Sequence, residues 1–241
     1  MAQILGLDQG DIGGLCFREI ADAVSALTAE PVVFQAHRYP APRGSIVYHW
    51  ENGPLQHQAS LANASHIWDF SRANVERYPS GIRAKVAHVP CGFHRSMVRF
   101  KPDETPHHDV VWIGCLNPRR QRILDGLRSR GLSVVEVPWS VYGRQRNTIV
   151  ARARVLLNMR YYEDGLFPVL RSAHAAANSI PCVAEISPEI PDWAVERVGY
   201  DRLVSRVFEV ARSSVDERST LAAKTFSAFR RCPLVLPRQS R

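Results

Sequence analysis

Val110-Val111-Trp112-Ile113-Gly114-Cys115-Leu116-Asn117-Pro118-Arg119-Arg120 carries the reading of the fold. Its first four residues are apolar without interruption. They have no polar face, which suits a strand buried on both sides of a parallel sheet. Gly114 ends the run, a short turn follows, and Pro118 stands where a helix can begin. Ile123, Leu124 and Leu127 then share one face of a helix over 119–130, with arginines on the outer face and Gly131 as a stop. Two arginines in the first turn oppose the positive end of the helix dipole. They make better sense if an anion neutralises them there.

The same alternation runs along the chain. Apolar, Val- and Ile-rich segments bounded by Gly, Pro, Ser or Asn predict strands at 31–36, 45–49, 65–70, 84–89, 109–114, 132–137, 154–158 and 181–186. Between them, Phe17, Ile20, Ala21, Val24 and Leu27 mark a helix over 17–29. Further helices are predicted over 167–179, 192–213 and 216–230. Strand and helix in alternation imply an α/β class with parallel sheets. The stretch 99–108 has two prolines, mixed charge and no periodicity, and reads as a linker, with His107-His108 as loop. It divides the chain into domains of 1–101 and 109–241, with about four strands in each. Two such halves facing across a cleft would hold a ligand between the carboxyl ends of their strands.

Composition narrows the function classes. The 241 residues are 45% hydrophobic and 22% charged, the profile of a folded protein rather than a disordered or fibrous one. No apolar run approaches the roughly 20 residues of a membrane span. The N-terminus has no basic region before Asp8 and Asp11, so the expected location is cytoplasmic. Five scattered cysteines without CxxC, and nine histidines without ligand spacing, argue against disulfides and against a metal site. The net charge of +8 is uneven. Ten arginines and two acids lie between Arg119 and Arg160, and the remaining residues balance. That excess points to an anionic ligand, either a phosphate-bearing small molecule or nucleic acid. Interleaved exposed aromatics and a helix-turn-helix spacing are absent, which argues against nucleic acid.

Three further segments could carry chemistry. Gly10-Asp11-Ile12-Gly13-Gly14 lacks both the GxGxxG spacing and a P-loop lysine, and reads as a tight turn. Ser45 to Asn52 runs from a strand into a polar loop, where His49 or Glu51 could act as a general base. Arg154 to Glu185 forms a strand, a polar glycine loop, a helix with Arg171 and His174, and a second strand. Its loop falls at the carboxyl edge, where ligands bind.

In order, these segments resemble bacterial glycosyltransferases of the GT-B fold, in the spore-maturation and capsule-type branch of the group 1 glycosyl transferases. Tyr48-His49-Trp50-Glu51 resembles the branch's Tyr-Asn-x-Glu, and Ile67 to Asn74 its Val-Trp-Asp-Tyr-Ser-x-x-Asn. Gly114 to Arg120, with Ile123-Leu124, Leu127 and Tyr142-Gly143, matches a third block. Leu156-Leu157-Asn158, Arg171 to Asn178 and Val183-Ala184-Glu185 match a fourth.

The resemblance covers about 45–186. It implies an enzyme that moves a sugar from a nucleoside-diphosphate sugar to a small-molecule or glycan acceptor, with no cofactor and no obligatory metal. The N-terminal domain would serve the acceptor, with Glu51 or His49 as catalytic group. The implied donor-side residues are Gly114, Asn117, Arg119, Arg120, Tyr142, Gly143, Glu163, Gly165, Arg171, His174 and Glu185, with Arg119 and Arg120 at the diphosphate. Members usually carry Glu where this chain has Pro168 and His174, the second one binding the donor ribose; Glu163 or Glu185 would have to substitute. The alternative is a non-catalytic nucleotide-binding or scaffold module of transferase descent. The short N-terminal half fits altered acceptor recognition or a homodimer.

Overall fold

The computed structural model describes residues 4–5, 18–34, 36, 40–138 and 140–237. The chain separates into two compact units, Met1–Gly92 with Leu234–Arg241, and Phe93–Pro233. The glycine turn expected at 10–14, and Phe17 and Cys16, lie outside the described residues.

The first unit holds a parallel sheet of β1 (Ile4–Leu5), β2 (Val32–Val33), β3 (Ile46–His49), β4 (His66–Asp69) and β5 (Val86–His88), ordered as they occur in the chain. Helix α1 (Arg18–Leu27) buries Ile20, Ala21, Ala23 and Val24. Three short helices follow: α2 (Gln58–Asn63), α3 (Arg72–Arg77) and α4 (Ser80–Arg83). Val33, Val47, Leu55, Ile67 and Tyr78 form one buried cluster. At the carboxyl end of β4, Asp69 is fully buried and accepts from Ser71 N–H (2.9 Å), Asn74 Nδ2 (3.1 Å) and the Tyr78 hydroxyl (3.1 Å). The Ser71 hydroxyl in turn caps α3 by accepting from Asn74 N–H. A buried carboxylate is tolerable only with such partners. Asn74 Nδ2 also donates to the Glu51 carbonyl at 3.0 Å, so the network fixes the loop that follows β3.

The second unit holds β6 (His108–Ile113), β7 (Val134–Val137), β8 (Ala153–Asn158), β9 (Cys182–Glu185) and β10 (Arg197–Val198), all parallel, in the order β10-β9-β8-β6-β7. Its helices are α5 (Pro118–Ser129), α6 (Gly143–Ala151), α7 (Val169–Ala177), α8 (Leu203–Arg212) and α9 (Val215–Arg230). The strands feed two cores. Val110, Trp112, Val155 and Leu157 pack with Ile123, Leu124 and Leu127 of α5 and Leu203 and Val207 of α8. Val111, Ile113 and Leu156 point the other way, against Val150 of α6 and Ala175 of α7. Successive residues of a strand face opposite sides, so a sheet covered on both faces needs an apolar side chain at every position. Each fully buried Val, Leu or Ile contributes roughly 1.5–3 kcal/mol.

All eight expected strands form, within a few residues of their expected limits. Patterning missed the edge strands β1 and β10, and also α2, α3, α4 and α6. The helix expected over 192–213 is shorter. Residues 192–196 are turn and irregular backbone, Arg197–Val198 form β10, a 3₁₀ turn follows at Tyr200–Arg202, and only Leu203–Arg212 is α-helical. Gly199 separates the two, and β10 gains a sheet partner that a helix there would forgo. The stretch 99–108 lies within the second unit. The Asn178 side-chain oxygen accepts from Arg99 N–H (2.6 Å) and Phe100 N–H (3.0 Å), while Asp103 and His107 N–H bond the carbonyls of Ala151 and Arg152. His108, read as loop, opens β6. Among the described residues no helix is long and apolar enough to cross a membrane.

Replacing Asp69 with Ala leaves the Tyr78 hydroxyl and two N–H donors short of an acceptor. We expect a loss of about 2–4 kcal/mol, read by urea denaturation, with Asp69→Asn milder. Equal stability of Asp69→Ala and the natural chain would contradict this account of the turn.

Candidate functional site

The strand order of the second sheet reverses at β6. The chain leaves β6 for β7 on one side and returns to β8 on the other. The loops after β6 and β8 therefore diverge and leave a crevice at adjacent carboxyl ends, the usual ligand position in open parallel sheets. Gly114 starts the first loop at φ +131°, a conformation that disfavours any side chain. Asn117 caps α5 by accepting from Arg120 N–H at 2.9 Å. Its Nδ2 donates to the Tyr161 carbonyl at 2.8 Å, which ties the two loops together.

Four arginines line these ends. Arg120 is only 2% exposed. Its Nε donates to the Arg160 carbonyl (2.9 Å), Nη1 to that of Cys115 (2.6 Å) and Nη2 to that of Met159 (2.8 Å). Its guanidinium lies 4.7 Å from the Trp112 ring and 4.9 Å from that of Tyr161. Arg171 Nη1 donates to Asn158 Oδ1 and the Met159 carbonyl, each at 3.0 Å, and its guanidinium also lies 4.7 Å from Trp112. Arg119 forms a two-pronged pair with Glu185 and rests 3.9 Å over the Tyr200 ring. Arg160 reaches the same carboxylate through Nη2 (2.8 Å), Nε (3.1 Å) and its backbone N–H (3.0 Å).

Charge at the crevice is unbalanced. Four guanidiniums meet one buried carboxylate, Glu185, while Glu163 and Asp164 on the same loop are exposed. Burial weakens the hold of Arg120 on its proton, and the charge of Arg119 weakens it further. Arg171 is pushed the same way by burial and then by Arg120. Cations held against their own desolvation favour a nearby anion. Leu116, Tyr161, Tyr162 and Ile186 stand exposed on the loops after β6, β8 and β9, giving this edge an apolar rim.

The other expected residues are placed as follows. Tyr142 and Gly143 begin α6 beyond β7, at the same edge. Gly165 is buried in the loop after β8, and Pro168 precedes α7 without a side-chain cap. His174 lies within α7, buried against the Phe100 ring at 5.5 Å, and neither ring nitrogen has a hydrogen-bond partner. Burial, and then the charges of Arg146 and Arg99, hold it well below its ordinary pKa. His49 and Glu51 belong to the first unit. The His49 ring shares a hydrogen bond with the Gly53 carbonyl at 2.9 Å, and Glu51 is exposed just beyond β3.

The ten arginines of 119–160 do not share one face. Arg128 pairs with Glu136 and Asp125, Arg152 with Asp103 and Arg154 with Asp109. Sequence reasoning counted Arg160 only as charge and passed over Tyr161, Tyr162 and Tyr200. Tyr200 meets Arg119 from 81 positions away, a pairing no local signal announces. Among the described residues, no three His, Cys, Asp or Glu side chains gather as a metal site, and Cys91, Cys115, Cys182 and Cys232 are free thiols.

No family model matches the chain. Curated relatives come from Acanthamoeba polyphaga mimivirus. Uncharacterized protein L138 is 30% identical over 116 residues, 44% of this chain and 13% of its own length. Uncharacterized protein L140 is 28% identical over 108 residues, 43% and 36% respectively. The chain thus spans 13% of the first relative's length and 36% of the second's.

Among solved structures, the lipopolysaccharide outer core galactosyltransferase WaaB in its apo form aligns over 89% of this chain and 78% of its own, at 15% identity and a TM-score of 0.41. The DNA-modifying enzyme β-glucosyltransferase, solved in the presence and absence of uridine diphosphoglucose, aligns over 95% and 92%, at 10% identity and a TM-score of 0.48. A glycotransferase of kitacinnamycin aligns over 95% and 81%, at 9% identity and a TM-score of 0.37. All three are glycosyltransferases.

Two outcomes are expected from this geometry. Arg120→Lys keeps the charge but cannot serve three carbonyls at once, and should cost about 2–4 kcal/mol in chemical denaturation. His174 is depressed in the fold, so the unfolded chain takes the proton more readily. Its contribution is complete above pH ~6.5 and is lost as pH falls below that, by at most about 1.4 kcal/mol per pH unit. Urea titrations between pH 7.5 and 5 should show that slope flattened in His174→Leu; an unchanged slope assigns it to another group.

Proposed function

We propose that the chain transfers a sugar from a nucleoside-diphosphate sugar to an acceptor, without an obligatory metal. The observation that carries this reading is the gathering of Arg119, Arg120, Arg160 and Arg171 where β6 and β8 end, beside the start of the 12-residue helix α5. Charge that develops on a departing diphosphate would be met there by fixed cations and by the helix dipole. The ordered resemblance of 45–186 to group 1 glycosyl transferases supports the same assignment. In this reading the second unit takes the donor. The first unit takes the acceptor, with Glu51, exposed on a loop pinned by Asn74, as the candidate base.

A module that binds a nucleotide sugar without turning it over is the second reading. Pro168 and the buried His174 supply no carboxylate where such transferases carry one, and both Glu185 oxygens are already engaged.

Calorimetry with UDP, GDP, ADP and dTDP sugars tests both readings. Binding of one of them is expected, and no binding across the panel would sink the proposal. Turnover or slow donor hydrolysis would then separate the enzyme from the module. If it is an enzyme, Glu51→Gln should lower kcat by about 100-fold or more while donor affinity stays within twofold, as expected for loss of a general base.

A further inference from the structure

Glu185 closes β9 and is 1% exposed. Its carboxylate accepts five hydrogen bonds: from Arg119 Nη1 and Nη2, from Arg160 Nε and Nη2, and from Arg160 N–H. Burial alone would favour its neutral form, but the bonds from Arg119 and Arg160 outweigh that and hold it ionised, below the usual carboxylate range. With about four lone-pair positions taken, it has no acceptor left for a ligand. It is itself an anion, seated between two arginines at the edge where a phosphate would arrive.

The two arginines are held differently. Arg119 binds with both prongs, lies over Tyr200, and has its Nε buried without a partner. Arg160 sits on the loop whose next four residues, Tyr161 to Asp164, are all exposed, and another of its nitrogens holds the Glu163 carbonyl of that same loop. If its guanidinium left, Glu185 would keep the two-pronged Arg119 and the Arg160 backbone N–H. No uncompensated buried charge would result, so the exchange avoids the penalty that usually forbids breaking a buried pair.

We propose that Glu185 is a built-in counter-anion: it holds the Arg160 guanidinium at the crevice until a phosphate group takes it over, and thereby sets how tightly the site binds phosphate. This rests on the donor-site reading above. Glu185 is a positioning residue in this scheme, touching the arginines rather than the ligand. The loop after β8 stays in place during the exchange, held by the Arg160 N–H on Glu185 and by Arg120 on the Met159 and Arg160 carbonyls.

Inorganic pyrophosphate, which carries no base or sugar, is the probe, titrated calorimetrically into the full chain. Glu185→Gln keeps the shape but removes the competing charge, and should bind pyrophosphate about tenfold more tightly, about 1.4 kcal/mol. In an Arg160→Met background the same substitution should change affinity less than twofold. A purely structural role for Glu185 predicts the opposite sign, since a loosened site binds more weakly. Equal or weaker binding by a folded Glu185→Gln chain overturns the inference while leaving the donor reading intact. If neither the natural chain nor the variant binds millimolar pyrophosphate, both fall. Should Glu185→Gln not fold, arginine Nε–H resonances of the natural chain decide. Pyrophosphate should shift Arg160 more than Arg119, and a shift confined to Arg119 refutes the exchange.

Discussion

Reversal of strand order at β6 is the constraint from which the rest of the second unit follows. Two neighbouring parallel strands whose chains depart in opposite directions cannot cover their own carboxyl ends. The backbone carbonyls exposed there, those of Cys115, Met159 and Arg160, need donors. Arg120 supplies all three from one guanidinium lying against Trp112 and Tyr161. A lysine has the charge but not the fork. The edge is thus built around a planar cation rather than around a loop of glycines, and Arg119, Arg160 and Arg171 extend the same solution.

That construction has an electrostatic consequence. Glu185 neutralises part of the charge and fastens α5 and the loop after β8 to β9, while Arg120 and Arg171 have no carboxylate partner of their own among the described residues. The crevice is rigid through carbonyl bonding and cationic through incomplete pairing. A site that is meant to stabilise charge appearing elsewhere needs both properties together. The exposed Leu116, Tyr161, Tyr162 and Ile186 around it are where planar or apolar parts of a ligand could rest.

In the first unit the Trp-Asp-x-Ser-x-x-Asn stretch proves to be a strand-to-helix turn. Asp69 is its buried acceptor, Ser71 its cap, and Asn74 its tie to the Glu51 loop. Residues that resemble a family motif here act on the backbone, and through it on where Glu51 stands.

Periodicity and turn chemistry made eight of the strands and most of the long helices legible, because each of those signals is local: an apolar run, a capping side chain, a glycine stop. Gly114, Asn117 and Pro118 were legible as a strand-to-helix junction for the same reason. The edge strands β1 and β10 were not; each forms at the end of its sheet, on the edge that a neighbour offers. The ten-arginine cluster misled as a cluster: Arg128, Arg152 and Arg154 pair with Glu136, Asp103 and Asp109, and Arg119 and Arg160 share Glu185. Glu185 between Arg119 and Arg160, and Tyr200 beneath Arg119, join positions 25 to 81 residues apart. The sequence by itself determined the α/β class, the strand count to within the shortest strands, and the charge of the edge. Only the tertiary structure decided which arginines that edge spends on carbonyls and which on Glu185, because that depends on which strand ends lie side by side.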